Sequence, residues 1–183
     1  RNVEECAHRL AALEGRHAPD LRDCTLVGKR LLVLEGLPFE GARDAPVRGF
    51  EAAVERLAKA GAVIERRALP MVTPAMDLSG ILFAPEAYGQ WKEVIEAAPE
   101  KMYPLILERF RTGRDVRASD YVKAWEDLRR HRVEYLAETA AYDAVLVPTA
   151  PILPPDAARL LSDPAYFQTE NLLALRNTRI GNI

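Results

Sequence analysis

With 183 residues, 49% of them hydrophobic, the chain has enough apolar material to bury one good-sized core. Its 25 basic and 27 acidic residues are mixed along the sequence and leave a net charge of −2, without the basic block that would point to nucleic acid or an anionic membrane. Cys6 and Cys24 offer neither a disulfide framework nor metal-ligand spacing, and no apolar run approaches the length of a bilayer span, so a reducing, cytoplasmic setting is expected.

The sequence opens on Arg1 with no charged-then-apolar leader, and the natural start of the protein is therefore expected to lie upstream. Val3, Cys6, Ala7, Leu10 and Leu13 recur at helical spacing, with Asn2 as N-cap, Glu5 as its capping-box partner and Gly15 as the stop. They predict a helix with one buried face. Arg16 to Cys24 is polar and turn-like, and "KRLLVLEG" (Lys29 to Gly36) has the continuous apolar centre of a strand buried on both faces. After a loop rich in Gly, Pro and Asp, Val47, Phe50, Val54 and Leu57 form one helical stripe, followed by a glycine and the strand-like "AVIERRAL". A strand, helix, strand unit of this kind makes neighbouring parallel strands, so the fold class is expected to be α/β. The turn before the helix, "EGLPFEGARDAP", lacks GxGxxG spacing, which argues against nucleotide binding.

Residues 73–142 predict a mainly helical stretch broken near Pro85, Pro99, Pro104 and Gly113. Its last helix is expected to start at Ser119 as N-cap and to run Val122, Trp125, Leu128, Arg132, Tyr135 and Leu136 down one side. The region 143–183 then predicts a buried strand in Ala144–Val147, a proline-rich loop beginning at Pro148, and a helix with Pro164 in its first turn. Trp91 and Trp125 are expected in the core or at an interface.

A self-contained active site is not visible. Ser79, Ser119 and Ser162 occur outside any GxSxG context and read best as helix caps. His8, His17 and His131 are scattered, with no HxxxH and no clustered carboxylate, so no metal or other cofactor is expected. His131 is expected on an exposed face. The carboxylates Glu126, Asp127, Glu134 and Glu138 read as solvated helix charge rather than an acid–base pair.

Several segments, taken in order, resemble the C-terminal half of the amidase signature family of serine hydrolases. "RNVEECAHRLAALEG" is similar to the helix that follows that family's catalytic segment, and "KRLLVLEG" to the strand after it. "FEAAVERLAKAGAVIERRALP" is similar to its helix and strand ending in Leu-Pro, "YDAVLVPTAP" to its Asp-x-x-x-x-Pro-Thr-x-Pro strand and loop, and "LRNTRIGNI" to the segment leading to Asn-x-x-Gly-x-Pro. No single motif is specific; their ordered combination covers nearly the whole chain.

The resemblance implies part of a larger mixed β-sheet covered by helices, with residues 73–142 as a helical insertion in one partial amidase domain over 1–183. It implies an enzyme that hydrolyses a carboxamide to acid and ammonia through a serine nucleophile, a second serine in a cis peptide and a lysine. Nothing here matches that Gly/Ser-rich signature, so the chain is expected to be an internal piece, inactive alone, with no catalytic residue of its own. The substrate would be a small-molecule amide; a homodimer is left open. On this resemblance Arg109, in "ERFRTG", is similar to the arginine of an Arg-x-x-x-Gly element that grips a carboxylate in the transamidosome's amidase subunit. Arg111 and Arg114 are competing matches, and a solvated helical arginine is the plain alternative. Thr149, Arg176 and Asn177 are candidate pocket residues on the same basis, against a plain exit of the chain from the sheet for the first and helix C-terminal capping and exposure for the other two. Two rival readings stay open: the amide-donor subunit of a tRNA-dependent amidotransferase, and a non-catalytic α/β binding module.

Overall fold

A computed structural model describes residues 2–183; Arg1, the first residue of the amidase-like opening motif, lies outside the described residues. Helix α1 (Val3–Glu14) is capped as its sequence requires: the Asn2 side chain accepts from the Glu5 N–H, and Gly15 closes the helix in the left-handed region at φ 65. Its apolar stripe, however, is not buried. Val3 is 76% and Leu13 87% exposed, because no other described element packs substantially against this helix.

Strand β1 (Arg30–Glu35) is the centre of a three-stranded parallel sheet in the order β2–β1–β3, flanked by β2 (Val63–Ala68) and β3 (Ala144–Leu146). Leu32 stands opposite Glu65 on one side and Val145 on the other. Leu31 to Leu34 are all buried, as a central parallel strand between two covered faces demands. The α/β expectation is borne out. The edge strand β3 is half-buried rather than buried, since β1 pairs with one of its sides only. Helix α2 (Asp44–Lys59) is the crossover between β1 and β2 and buries Val54 from the expected stripe.

The helical region comprises α3 (Val72–Asp77), α4 (Ser79–Ala97), α5 (Pro104–Arg111) and α6 (Ala118–Thr139). Breaks occur at Pro99 and Pro104, each of which opens a helical turn. Pro85 does not break the chain; it sits inside α4. The turn that lacks the proline N–H is pressed against the short 3-10 turn Thr112–Asp115, whose Gly113 meets the Ala84–Pro85 peptide. Helix α6 starts one residue before Ser119, with Arg117 in the cap position and no side-chain cap; the Ser119 hydroxyl reaches only Asp120. Its buried stripe is also rotated from the expected one. Ala124 and Leu128 are inside, while Val122 and Leu136 face water.

Two apolar clusters tie these layers together. One joins Leu32 and Leu34 of β1 to Leu69, Met71, Val72 and Met76, with Tyr135, Val145 and Ile180 against it. The other joins Ala75, Leu82, Ala124 and Leu128, with Trp125 half-buried at its side. Trp91 belongs to neither and is 54% exposed, so of the two tryptophans expected in the core or at an interface only Trp125 packs against a core cluster. Helices α7 (Ala157–Ser162) and α8 (Pro164–Ile180) close the chain, each N-capped by an aspartate, Asp156 and Asp163. Helix α8 packs on α3 and on α7. Among the described residues no helix is long and apolar enough to cross a membrane.

Candidate functional site

Helices α4, α5 and α8 enclose a groove of about 400 Å³. Its shape begins with Gly113. A Cβ there would lie 2.1 Å from the Ala84 carbonyl oxygen and 2.7 Å from the Pro85 nitrogen, a contact that no side chain can make. Glycine at this point therefore lets α5 and its following turn press onto α4. That approach sets Arg109, in the last turn of α5, into the groove. Its Nη1 donates to Asn171 Oδ1 at 3.1 Å, and its backbone carbonyl accepts from the Thr112 hydroxyl at 2.8 Å.

The competing arginines are engaged elsewhere. Arg111 donates to both oxygens of Glu96, at 2.9 and 2.7 Å, and to Glu108 at 3.1 Å. These carboxylates, Glu96 first, raise its already high pKa. Arg114 is exposed beside Asp115. Of the three, Arg109 alone lines the groove.

A second cation, missed in the sequence, faces the same space. Arg179, at the end of α8, donates to Ser79 Oγ at 3.4 Å and to the Leu172 carbonyl at 3.3 Å. Partial burial lowers its pKa, and the nearby charge of Arg109 lowers it further. Apolar surface from Phe83, Phe110, Leu172 and Leu175 completes the wall. The available signal was the "RNTR" spacing, which puts Arg176 and Arg179 one helical turn apart beside an apolar run.

Arg176 and Asn177 have a different task. Asn177 is 1% exposed. Its Nδ2 donates to the carbonyls of Pro38 and Pro148 at 2.9 and 2.8 Å, and its Oδ1 accepts from Arg176 Nε at 3.1 Å. Arg176 adds bonds from Nη1 to the Glu40 carbonyl (2.6 Å) and from Nη2 to the Pro38 carbonyl (3.0 Å). Together they clasp the loop after β1 to the loop after β3, from within the protein. The proline-rich loop is held at a second point, where the Arg43 N–H donates to the Pro151 carbonyl at 2.8 Å. The Arg43 guanidinium in turn holds Glu170, a buried carboxylate, at 2.6 Å. Pro148 and Pro151 are buried by these contacts, whereas Thr149 between them is exposed and does not line the Arg109 groove. The structure thus keeps Arg109 in the groove and brings none of Thr149, Arg176 and Asn177 there.

A further depression of about 340 Å³ lies between α3, α6 and the end of α8, lined by Met71, Val72, Leu128, Tyr135 and Ile180. His131, expected on an exposed face, is mostly covered at its edge, with Nδ1 3.3 Å from Glu134 Oε2. Burial raises the Tyr135 pKa. Among the described residues no three His, Cys, Asp or Glu stand together as a group that could hold a metal ion. In the Arg109–Arg179 groove two guanidinium groups without a carboxylate partner among the described residues meet apolar surface, a setting suited to holding an anion.

No family model matches the chain. A curated relative, a 2-amino-5-chloromuconic acid deaminase of Comamonas testosteroni, is 29% identical over 187 residues, an alignment that spans all of this chain and 40% of the relative. A solved structure described as an amidase superposes with a TM-score of 0.70 at 23% identity, over 86% of this chain and 35% of that one. The resemblance to amidases seen in the sequence is borne out, and the chain has the fold of part of an amidase, spanning well under half the length of the proteins it matches.

Proposed function

We propose that this chain forms the substrate-binding wall of an amidase that cleaves a carboxamide to acid and ammonia. The nucleophilic serine, the cis serine and the lysine of the mechanism would come from residues other than these. In that reaction the lysine amine, acting through the second serine, takes the proton of the nucleophile, whose Oγ attacks the amide carbonyl. Backbone N–H groups hold the oxyanion, the C–N bond breaks as ammonia leaves with a proton, and water releases the acid from the acyl-enzyme. Arg109 would orient the substrate by a bidentate bond to a carboxylate. The clasp of Arg176 and Asn177 would hold the Pro148–Pro151 loop, with Thr149 at its exposed rim, beyond the carboxyl end of β3, where parallel sheets bind their ligands.

The observation that carries this reading is a cationic groove with no carboxylate partner in a chain of amidase fold. The relative's name adds support, since it describes removal of ammonia from an acid. The test is ammonia release by the protein made from the complete reading frame, assayed on carboxamides with and without a carboxylate. Hydrolysis abolished by replacing a serine upstream of this segment is the expected result. No ammonia from any carboxamide, with the protein folded, would overturn the proposal.

A further inference from the structure

Among the described residues, several partly covered arginines are paired with a carboxylate. Arg43 meets Glu170, Arg66 meets Glu51, Arg67 meets Glu138 and Arg111 meets Glu96. Arg176 has no carboxylate, yet its Nε, Nη1 and Nη2 all reach oxygen atoms of the fold. Arg109 and Arg179 are different. Each guanidinium carries five N–H donors; Arg109 has one bond, to a neutral amide, and Arg179 has two long ones, to a hydroxyl and a carbonyl. Both line one groove, near enough for the charge of Arg109 to bear on Arg179.

Two like charges brought together under partial burial repel, and most of their donors point at no protein acceptor. Each stands in the last turn of its helix, where the carbonyl end of the helix dipole favours a cation. That explains why the pair is tolerated without explaining why neither has been given an acid. We infer that Arg179 is a specificity residue that works with Arg109, so that the groove takes a carboxylate carried on a short apolar chain. A single planar carboxylate offers about four acceptor sites, enough to engage both forks at once. The apolar faces of Phe83, Phe110, Leu172 and Leu175 suit a hydrocarbon body and disfavour a phosphate or a sugar.

Identifying this ligand as the substrate rests on the amidase reading; the existence of the site does not. The complete enzyme is assayed on glutaric acid monoamide and on its methyl ester, which lacks the charge and adds one methyl group. Arg179→Gln should lower kcat/KM for the acid by about 10-fold to 100-fold, mainly through KM, and change the ester by less than about 2-fold, the loss expected of one charge-assisted bond. Arg179→Lys should recover part of the acid preference, since it restores the charge without the fork. An unchanged acid-to-ester ratio in Arg179→Gln, or an equal fall on both substrates, overturns the inference while leaving the amidase reading standing. Should the enzyme hydrolyse neither amide, calorimetric titration with glutarate decides the site by itself. Saturable binding that weakens at least about 10-fold in Arg179→Gln supports it, and no binding to the unaltered protein, or equal binding to both, refutes it.

Discussion

Replacing Asn177 with alanine should destabilise the protein by about 2–4 kcal/mol, from one buried carbonyl left without a partner, a second left with one bond fewer, and a small void. The magnitude follows from the clasp. Asn177 Nδ2 is the side-chain donor to the Pro148 carbonyl at 2.8 Å, whereas the Pro38 carbonyl keeps the bond from Arg176 Nη2 at 3.0 Å after the change. Asn177→Asp should also destabilise the protein: one carboxylate oxygen keeps the Arg176 Nε bond as a charge-assisted one, but the other faces the Pro38 and Pro148 carbonyl oxygens with nothing to donate. Urea unfolding followed by tryptophan fluorescence measures both, with Trp125 half-buried in the core as reporter. An alanine cost below about 1 kcal/mol would refute the clasp, since a bond of this kind in a solvent-accessible place is worth no more than that.

Three other substitutions test separate parts of the account. Gly113→Ala should cost about 3 kcal/mol or more and loosen the seat of Arg109, because its Cβ would lie 2.1 Å from a backbone oxygen that cannot swing aside; a urea midpoint equal to the parent's would show that α4 and α5 do not meet as described. Leu13→Glu should change stability by less than about 0.5 kcal/mol in the same experiment, as a substitution at an exposed helix position does, and a large loss would mean that the α1 stripe is covered after all. Asp143 is held below its ordinary pKa of 3.8, first by the Lys29 ammonium and then by the Arg30 N–H. A carboxylate whose folded pKa is depressed adds stability above its unfolded value and loses it as the pH falls through the folded one. Asp143→Asn should therefore flatten the fall in urea midpoint below about pH 4, and an unchanged acid limb would contradict the pairing.

The parallel unit was legible because its signals were local and strong. A continuous Leu-Leu-Val-Leu run, a four-residue helical stripe and a second strand leave few ways to pack, and the caps at Asn2 and Gly15 followed from side-chain and backbone chemistry alone. Burial was less legible. The α1 stripe has the spacing of a buried face, but periodicity states which residues share a face and not whether anything covers it. In α6 the stripe drawn through Val122 and Leu136 is only partly the buried one: Leu128 is inside as expected, while Ala124, outside that stripe, reaches the core and Val122 and Leu136 do not. Pro85 inside α4 is a case where tertiary contact overrides a local breaker. At the groove, Arg109 is singled out in the sequence by its Arg-x-x-x-Gly setting, and the structure supplies a packing reason for that glycine. Arg179 is not singled out in the sequence, because its place beside Arg109 joins residues seventy positions apart in the chain. Asn177 was singled out as polar and near the site, yet only the fold shows that its partners are the carbonyls of Pro38 and Pro148.

The central claim is that this segment orients an amide substrate through Arg109. Its most direct measurement is the rate of ammonia release from glutaric acid monoamide by the complete enzyme and by its Arg109→Ala form. Loss of a charge-assisted bond should lower kcat/KM by the equivalent of roughly 1.5–3 kcal/mol, about 10-fold to 150-fold, with the methyl ester little affected. Equal kcat/KM for the acid in the two forms would contradict the claim.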